Sequence, residues 1–292
     1  MSYSAIVSGA TGKIGSHLLE QLNLFKINTI AITRNSEKII KGTPTLNINL
    51  LENPDKLISN WAKNNDVKND IYFFHCAWSG DEYLTDGNIG SQLKNVELLS
   101  NAIKIAKQAG CSKFINIGTT EELITKYNLE NWMNKPNLLK PYGLSKLTSY
   151  YYAQILTYLN KIDLIQIRFS AAVNCLSSKN EDKGFIYRNI KKISEGKSFE
   201  KISNEQLFDF IETSQLASLI LETSIIGHNK EEYYLGPNYP LKLEEFFNLF
   251  KLEISGEKPL KYFNDCNRNY FNNNKYFSKT AKKIDFNIKN FI

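Results

Sequence analysis

Apolar runs and helical spacings alternate through the first 170 residues of the chain. Ser4–Ser8 is a short apolar run, and Ile14, Leu18, Leu22 and Phe25 follow it at the spacing of a helix face. Further strands are predicted at Thr29–Arg34 and Leu46–Leu50, with a short helix over Pro54–Asn65. Asp70–Ala77 is apolar enough to be covered on both faces, as a parallel strand is. Gly90–Gln108 carries Val96, Leu99, Ile103 and Ala106 along one side and predicts a long helix. Lys113–Thr119 follows as a fifth strand, Pro141–Asn160 as a second long helix and Asp163–Phe169 as a sixth strand. Strands alternating with helices specify an α/β chain with a doubly wound parallel sheet, whose functional groups gather at the carboxyl ends of the strands.

Beyond residue 170 the pattern loosens. Phe185–Ser194, Ser214–Ser224 and Leu243–Leu252 are predicted as helices and Leu207–Ile211 as a strand, with Pro237, Pro240 and Pro259 among them. The expected organisation is a first domain over 1–170 and a mainly substrate-binding α/β lobe over 171–292, some of whose segments return to the first domain.

Composition narrows the function classes. A chain of 292 residues with 36 Lys plus Arg against 30 Asp plus Glu carries a net charge of +6, spread without a dense basic block. That balance suits an anionic small molecule and not a nucleic-acid partner, which calls for charge concentrated on one element. The 4 cysteines, Cys76, Cys111, Cys175 and Cys266, are far apart and lack metal-ligand spacing, so they read as reduced residues of a cytoplasmic protein with no metal site. No apolar run approaches the roughly 18 residues of a membrane helix, and none is expected.

Two short stretches carry chemistry. Gly9-Ala10-Thr11-Gly12-Lys13-Ile14-Gly15 stands between the first strand and the first helix, the order in which glycines let backbone N–H groups and a helix N-terminus approach a pyrophosphate. The sheet is therefore expected to be of Rossmann type. Arg34, with Lys38 close behind, ends the second strand near the expected adenosine ribose. A carboxylate there accepts from the ribose hydroxyls of NAD(H), whereas a guanidinium matches a 2′-phosphate, so NADP(H) is favoured and NAD(H) remains possible.

The second stretch is Pro141-Tyr142-Gly143-Leu144-Ser145-Lys146. Proline presets the first helical turn, and Tyr142 and Lys146 then stand one turn apart on one face. His75, His17 and His228 have no partners in sequence and are given no role.

With Thr119 at the end of the fifth strand, these stretches resemble the extended short-chain dehydrogenase/reductase family, of the NAD-dependent epimerase/dehydratase type and in particular its nucleotide-sugar-modifying members. Weaker likeness comes from Phe74-His75-Cys76-Ala77-Trp78, from Gln92 and Asn95, and from Asp209-Phe210-Ile211. The resemblance implies that Tyr142 donates a proton to a carbonyl oxygen as hydride arrives from the nicotinamide. An unperturbed phenol titrates near ~10, so the neighbouring cation of Lys146 is needed to tune it. Lys146 also holds the nicotinamide ribose, and Thr119 aligns the substrate oxygen, unless its hydroxyl merely caps backbone. Cofactor contacts are expected from Gly9, Thr11, Gly12, Lys13, Ile14, Gly15, Arg34, Asn49, Leu50 and Ala77, besides Tyr142 and Lys146. Substrate contacts are expected from Trp78, Thr119 and Thr120, and for the diphosphate from Lys183, Arg188 and Lys192.

Departures from the family narrow the reaction. Sugar 4,6-dehydratases follow their threonine with Asp-Glu, whereas this chain reads Thr119-Thr120-Glu121, which disfavours dehydration. Ala172-Val173-Asn174-Cys175 replaces a Tyr-Gly-Pro common in relatives, and Glu212-Thr213-Ser214-Gln215 a more acidic helix start. The expected activity is NADPH-dependent reduction of a nucleotide-linked 4-keto (deoxy) sugar for a bacterial surface polysaccharide, by a homodimer. The alternatives are an NAD-dependent nucleotide-sugar epimerase and a non-catalytic NADP-binding sensor, the latter opposed by the presence of both Tyr142 and Lys146.

Overall fold

The computed structural model describes residues 3–34, 36–38, 42–51, 70–79, 89–130, 141–174, 185–201, 207–237 and 239–254. The helix expected over Pro54–Asn65 lies outside them. In chain order the elements are β1 (Tyr3–Ser8), α1 (Lys13–Leu24), β2 (Asn28–Thr33), β3 (Thr45–Asn47), β4 (Asp70–His75), α2 (Ile89–Gln108), β5 (Lys113–Ile117), α3 (Glu121–Glu130) and α4 (Pro141–Asn160). They continue as β6 (Asp163–Arg168), β7 (Ala171–Val173), α5 (Phe185–Ser194), β8 (Leu207–Phe208), β9 (Phe210–Glu212), α6 (Thr213–Ile226), β10 (Glu231–Tyr234), β11 (Leu241–Lys242) and α7 (Leu243–Ile254).

Seven strands form one sheet in the order β10-β6-β5-β4-β1-β2-β3, with every neighbouring pair parallel. This is the expected Rossmann-type doubly wound fold. Alternate strand residues feed two apolar layers. Ala5, Val7, Phe74, Ile115, Ile117, Ile165 and Ile167 pack with Leu18 and Leu22 of α1 and with Leu216 and Ile220 of α6. Ile6, Phe73, Phe114 and Leu164 pack on the other side with Leu99, Ile103 and Ala106 of α2 and Ala153 of α4. Because both faces are covered, the strands lack a polar alternation and read as continuous apolar runs.

Several strands are shorter than their apolar runs. β3 ends at Asn47, β4 at His75, β5 at Ile117 and β6 at Arg168, after which single hydrogen bonds carry on. Gly118 N–H donates to Ile167 O at 2.7 Å, Thr120 N–H to Phe169 O at 3.1 Å, and Cys76 N–H to Ser8 O at 3.1 Å. These irregular ends are where the chain leaves the sheet toward the site.

A third apolar cluster joins the short strands to α5 and α7. β7 pairs with β9 and β11 with β8, while Phe246, Phe247 and Phe250 of α7 pack with Phe210 and with Ile190 and Ile193 of α5. The single strand expected over Leu207–Ile211 is instead two, β8 and β9, separated by buried Asp209. Asp209 is fixed in place: its N–H donates to Ser170 Oγ at 3.1 Å, and its carboxylate accepts from Tyr239 N–H at 2.9 Å and from the Tyr234 hydroxyl.

From β9 the chain returns to the sheet. α6 packs beside α1, and β10 extends the edge next to β6. Lys113 ties this return down by donating to Ser224 O at 3.1 Å and Gly227 O at 3.2 Å, a cation at the negative end of α6.

Candidate functional site

Strand order reverses between β1 and β4, whose carboxyl ends therefore flank a crevice. The turn after β1 is held tightly against the end of β4. Gly9 has φ 67°, and a Cβ on it would lie 2.6 Å from the Ala77 backbone. A Cβ on Gly15 would lie 2.3 Å from Gly9 O, so the start of α1 sits directly on the turn. Gly12 occupies the N-cap with extended backbone and without a side-chain cap. Its own N–H donates to Gly9 O at 2.9 Å. First-turn N–H groups not served by a capping side chain suit the phosphates of a dinucleotide, with which this cradle is compatible. Thr11 Oγ1 lies 3.4 Å from Thr33 Oγ1, joining the turn to the end of β2, and Lys13 and Ile14 are half-buried in the first turn of α1. Arg34 follows β2 as an exposed residue. With the Asn47 carboxamide turned so that its nitrogen faces them, the carbonyls of Arg34 and Thr33 accept from it at 3.0 and 3.1 Å.

Across the crevice, Trp78 and Ser79 are clamped by two buried side chains of α2. Asn95 accepts from Ser79 N–H at 2.8 Å and donates to Ser79 O at 2.7 Å. Gln92 Oε1 accepts from the Trp78 indole N–H at 3.3 Å. The indole then meets α4: Lys146 Nζ stands 3.8 Å from its ring centroid, and the Tyr142 ring meets it edge-on at 5.9 Å. Lys146 Nζ also lies 6.0 Å from the centroid of the Tyr142 ring and donates to Ile117 O at 3.1 Å. The glycine turn, Ala77, Trp78, Lys146 and Tyr142 are thus contiguous.

Lys146 also sets the field at the end of β4. Burial, reinforced by the Lys146 cation, pushes the His75 imidazole down to about 3, so the ring is neutral at pH 7. Burial pushes the Cys76 thiol up to about 12 against the opposing pull of Lys146. Neither group is poised for proton transfer near neutrality.

Thr119 is buried at the foot of α3. Its Oγ1 accepts from Glu121 N–H at 3.3 Å, and its own N–H donates to Glu122 Oε1 at 3.1 Å. This reciprocal arrangement resembles a capping box and makes backbone capping one role of the hydroxyl. Gly143 brings the start of α4 against α3, since a Cβ there would lie 2.3 Å from Thr125 Oγ1 and 3.2 Å from Glu121 O. Thr120 is buried, with its N–H directed to Phe169 O at 3.1 Å.

Below Thr119 lies a charged cluster that the sequence reading did not single out. The fully buried Glu122 accepts from Arg168 Nε at 2.7 Å and from Gln166 Nε2 at 3.1 Å. Arg168 also pairs with Glu232 of β10, which accepts from the Tyr150 hydroxyl. Burial raises the Glu122 carboxyl against the pull of Arg168. The guanidinium is raised because its two carboxylates outweigh its own burial. Gly118 makes room for this cluster, because a Cβ there would lie 2.3 Å from both Glu122 Oε1 and Gln166 Nε2. One sequence signal was available: Thr119-x-x-Glu122 has the capping-box spacing.

The remaining expected contacts have the following surroundings. Leu50 packs its side chain into the core, and its carbonyl accepts from Asn101 at 2.8 Å. Asn49 Oδ1 accepts from Leu51 N–H at 3.2 Å. Arg188 is exposed on α5, 5.9 Å from the Phe185 ring centroid, and Lys192 pairs with Glu200 at 2.8 Å. Lys183 lies outside the described residues.

Comparison with known proteins adds three findings. A sequence profile described as the NAD dependent epimerase/dehydratase family matches residues 5–224. No match was found among curated proteins. Among solved structures, UDP-glucose 4-epimerase of Thermotoga maritima with UDP-glucose superposes with a TM-score of 0.70 at 15% identity, over 87% of this chain and 84% of that one. UDP-N-acetylglucosamine 4-epimerase of Bacillus cereus gives 0.68 at 16% identity, over 87% and 82%. The Bordetella bronchiseptica enzyme WbmH in complex with NAD+ gives 0.64 at 19% identity, over 89% and 82%. At these identities the likeness concerns the fold.

Proposed function

The chain belongs to the NAD dependent epimerase/dehydratase family, and on that premise we propose that it is an NADPH-dependent reductase of a nucleotide-linked 4-keto sugar. The observation that carries the reading is the contiguity of the glycine turn, Ala77, Trp78, Lys146 and Tyr142. It joins a phosphate cradle to a phenol beside an ammonium, the parts that carbonyl reduction requires.

A bound nicotinamide supplies the hydride that reduces the ketone carbon. Tyr142 gives its phenolic proton to the carbonyl oxygen, which becomes the hydroxyl of the product, and recovers a proton from solvent. The Lys146 ammonium stabilises the phenolate left behind and holds the nicotinamide ribose. Thr119 aligns the carbonyl oxygen from the start of α3, and Trp78 and Thr120 line the same end of the sheet. Arg34 at the end of β2 favours a cofactor with a 2′-phosphate. Lys183 and Arg188 are assigned to the substrate diphosphate. Cytoplasmic synthesis of a surface polysaccharide is the proposed setting.

A second reading, an epimerase that retains NAD, is supported by structural neighbours named as 4-epimerases or solved with NAD. A screen of 4-keto sugar nucleotides with NADPH and NADH separates the two. The reductase consumes NADPH stoichiometrically, whereas the epimerase turns over without added cofactor. Tyr142→Phe is expected to keep NADPH affinity and lose turnover by about 100-fold or more; undiminished turnover would remove Tyr142 from the mechanism.

The proposed assembly is a homodimer built on α2 and α4. These neighbouring helices expose Ile89 and Leu93 on one and Leu144, Tyr151, Ile155 and Tyr158 on the other, an apolar face of the kind that marks association.

A further inference from the structure

We infer that Trp78 is a positioning residue for the proton-donating pair: its indole face fixes the Lys146 ammonium beside Tyr142, and Gln92 fixes the indole. The inference rests on the reading of Tyr142 as proton donor and adds a residue through which that donor is controlled.

A lysine side chain has four torsions and a charge without directional preference, so one hydrogen bond leaves its position loosely defined. The bond from Lys146 Nζ to Ile117 O, at 3.1 Å, ties the ammonium to the end of β5. The indole centroid at 3.8 Å supplies a second, independent contact from the end of β4. Tryptophan offers the strongest aromatic face for a cation, and its negative π surface attracts the ammonium without competing for its donors. Because the Tyr142 ring meets the same indole edge-on at 5.9 Å, one side chain touches both members of the pair.

The indole is itself held by built structure. Its N–H donates to Gln92 Oε1 at 3.3 Å, and the adjoining residue Ser79 is clamped at both backbone groups by Asn95. Gln92 and Asn95 are buried on α2, one turn apart on its inner face. The segment after β4 is therefore fixed on one side by the Gly9 turn packed against Ala77, and on the other by two carboxamides. This explains why buried polar side chains occupy the start of a helix whose later inner positions are apolar.

Three variants and two readouts test the inference. Trp78→Leu removes the π face, Trp78→Phe keeps a smaller one, and Gln92→Leu removes the anchor and leaves the face. The first readout is the pH profile of kcat for reduction of a 4-keto sugar nucleotide by NADPH. Reduction needs the phenol protonated, so kcat falls above the alkaline limb, and an ammonium nearby favours phenolate and sets that limb lower. Displacing Lys146 is expected to move the limb upward by about half a pH unit or more and to lower kcat about tenfold in Trp78→Leu. Trp78→Phe restores most of both, and Gln92→Leu falls between. A loss of folded protein alone lowers the amplitude and leaves the limb in place.

The second readout needs no turnover: the rate at which acetic anhydride modifies Lys146, read by peptide mass spectrometry. The expected result is a several-fold rise in Trp78→Leu and little change in Trp78→Phe. Equal modification in wild type and Trp78→Leu, or an unmoved limb, overturns the positioning role. A wild type that reduces no keto sugar overturns the reading of Tyr142 as donor, while the modification ratio still decides whether Trp78 holds Lys146.

Discussion

At the scale of the residue, His75 shows how burial turns a titratable group into a structural one. Its Nδ1 lies 2.9 Å from Ser8 Oγ, its ring stacks on Phe114, and burial with the Lys146 cation pushes it down to about 3. The unfolded chain binds a proton on His75 below about 6.5, whereas the folded protein excludes it until about 3. The stability contributed by the neutral ring is complete above the unfolded value. It is lost as pH falls through the window between the two, at about 1.4 kcal/mol per pH unit. Between pH 7 and pH 5 the wild type is expected to lose about 2 kcal/mol more than His75→Gln in urea unfolding. Parallel losses in the two proteins would count against a neutral buried ring. The sequence placed His75 inside a strand and assigned it no catalysis. Its neutrality is set by burial, with the Lys146 cation on a different element adding to it, and neither could be read from spacing.

At the scale of the element, the junction of β5, α3 and β6 is the decisive unit. Glu122 accepts from Thr119 N–H, Gln166 and Arg168 while fully buried. Glu122→Ala leaves the guanidinium short of one carboxylate and the Thr119 N–H without its acceptor. The expected cost is about 3 kcal/mol or more, measured by urea unfolding. Glu122→Gln keeps an acceptor for Thr119 and is expected to cost less than half as much, because Arg168 retains Glu232. A cost below about 1 kcal/mol for the alanine variant would show that the cluster contributes little. Legibility varied with chemistry. The helix Pro141–Asn160 was predicted at its observed bounds, since a proline marks its start and its apolar positions follow helical spacing. By contrast, α3 was not predicted, because its apolar face is sparse and its buried positions are Glu122, Thr125 and Asn128. Strand β10 begins with Glu231-Glu232, and it was not predicted because Glu232 is drawn into the sheet by Arg168 of the neighbouring strand.

At the scale of the whole molecule, the unused surface of α2 and α4 makes a prediction about assembly. Ile155 and Tyr158 are 55% and 70% exposed one turn apart on α4. If this face joins two copies, sedimentation of the wild type gives twice the chain mass. Ile155→Glu with Tyr158→Glu is expected to give a single-chain mass with the fold preserved by circular dichroism. A monomeric wild type would overturn the proposed dimer. Among the described residues no helix is long and apolar enough to cross a membrane.

The sequence by itself determined the alternation of strands and helices, the glycine turn after β1 and the shared helix face of Tyr142 and Lys146. Each of these depends on neighbours along the chain, through strand and helix periodicity and backbone geometry. Tertiary structure alone decided that Ala77 abuts Gly9, that the Trp78 indole meets Lys146, that Arg168 lies between Glu122 and Glu232, and that the chain returns through β10 to the sheet edge. Those contacts join residues far apart in sequence, and their partners are selected by the sheet order that folding sets.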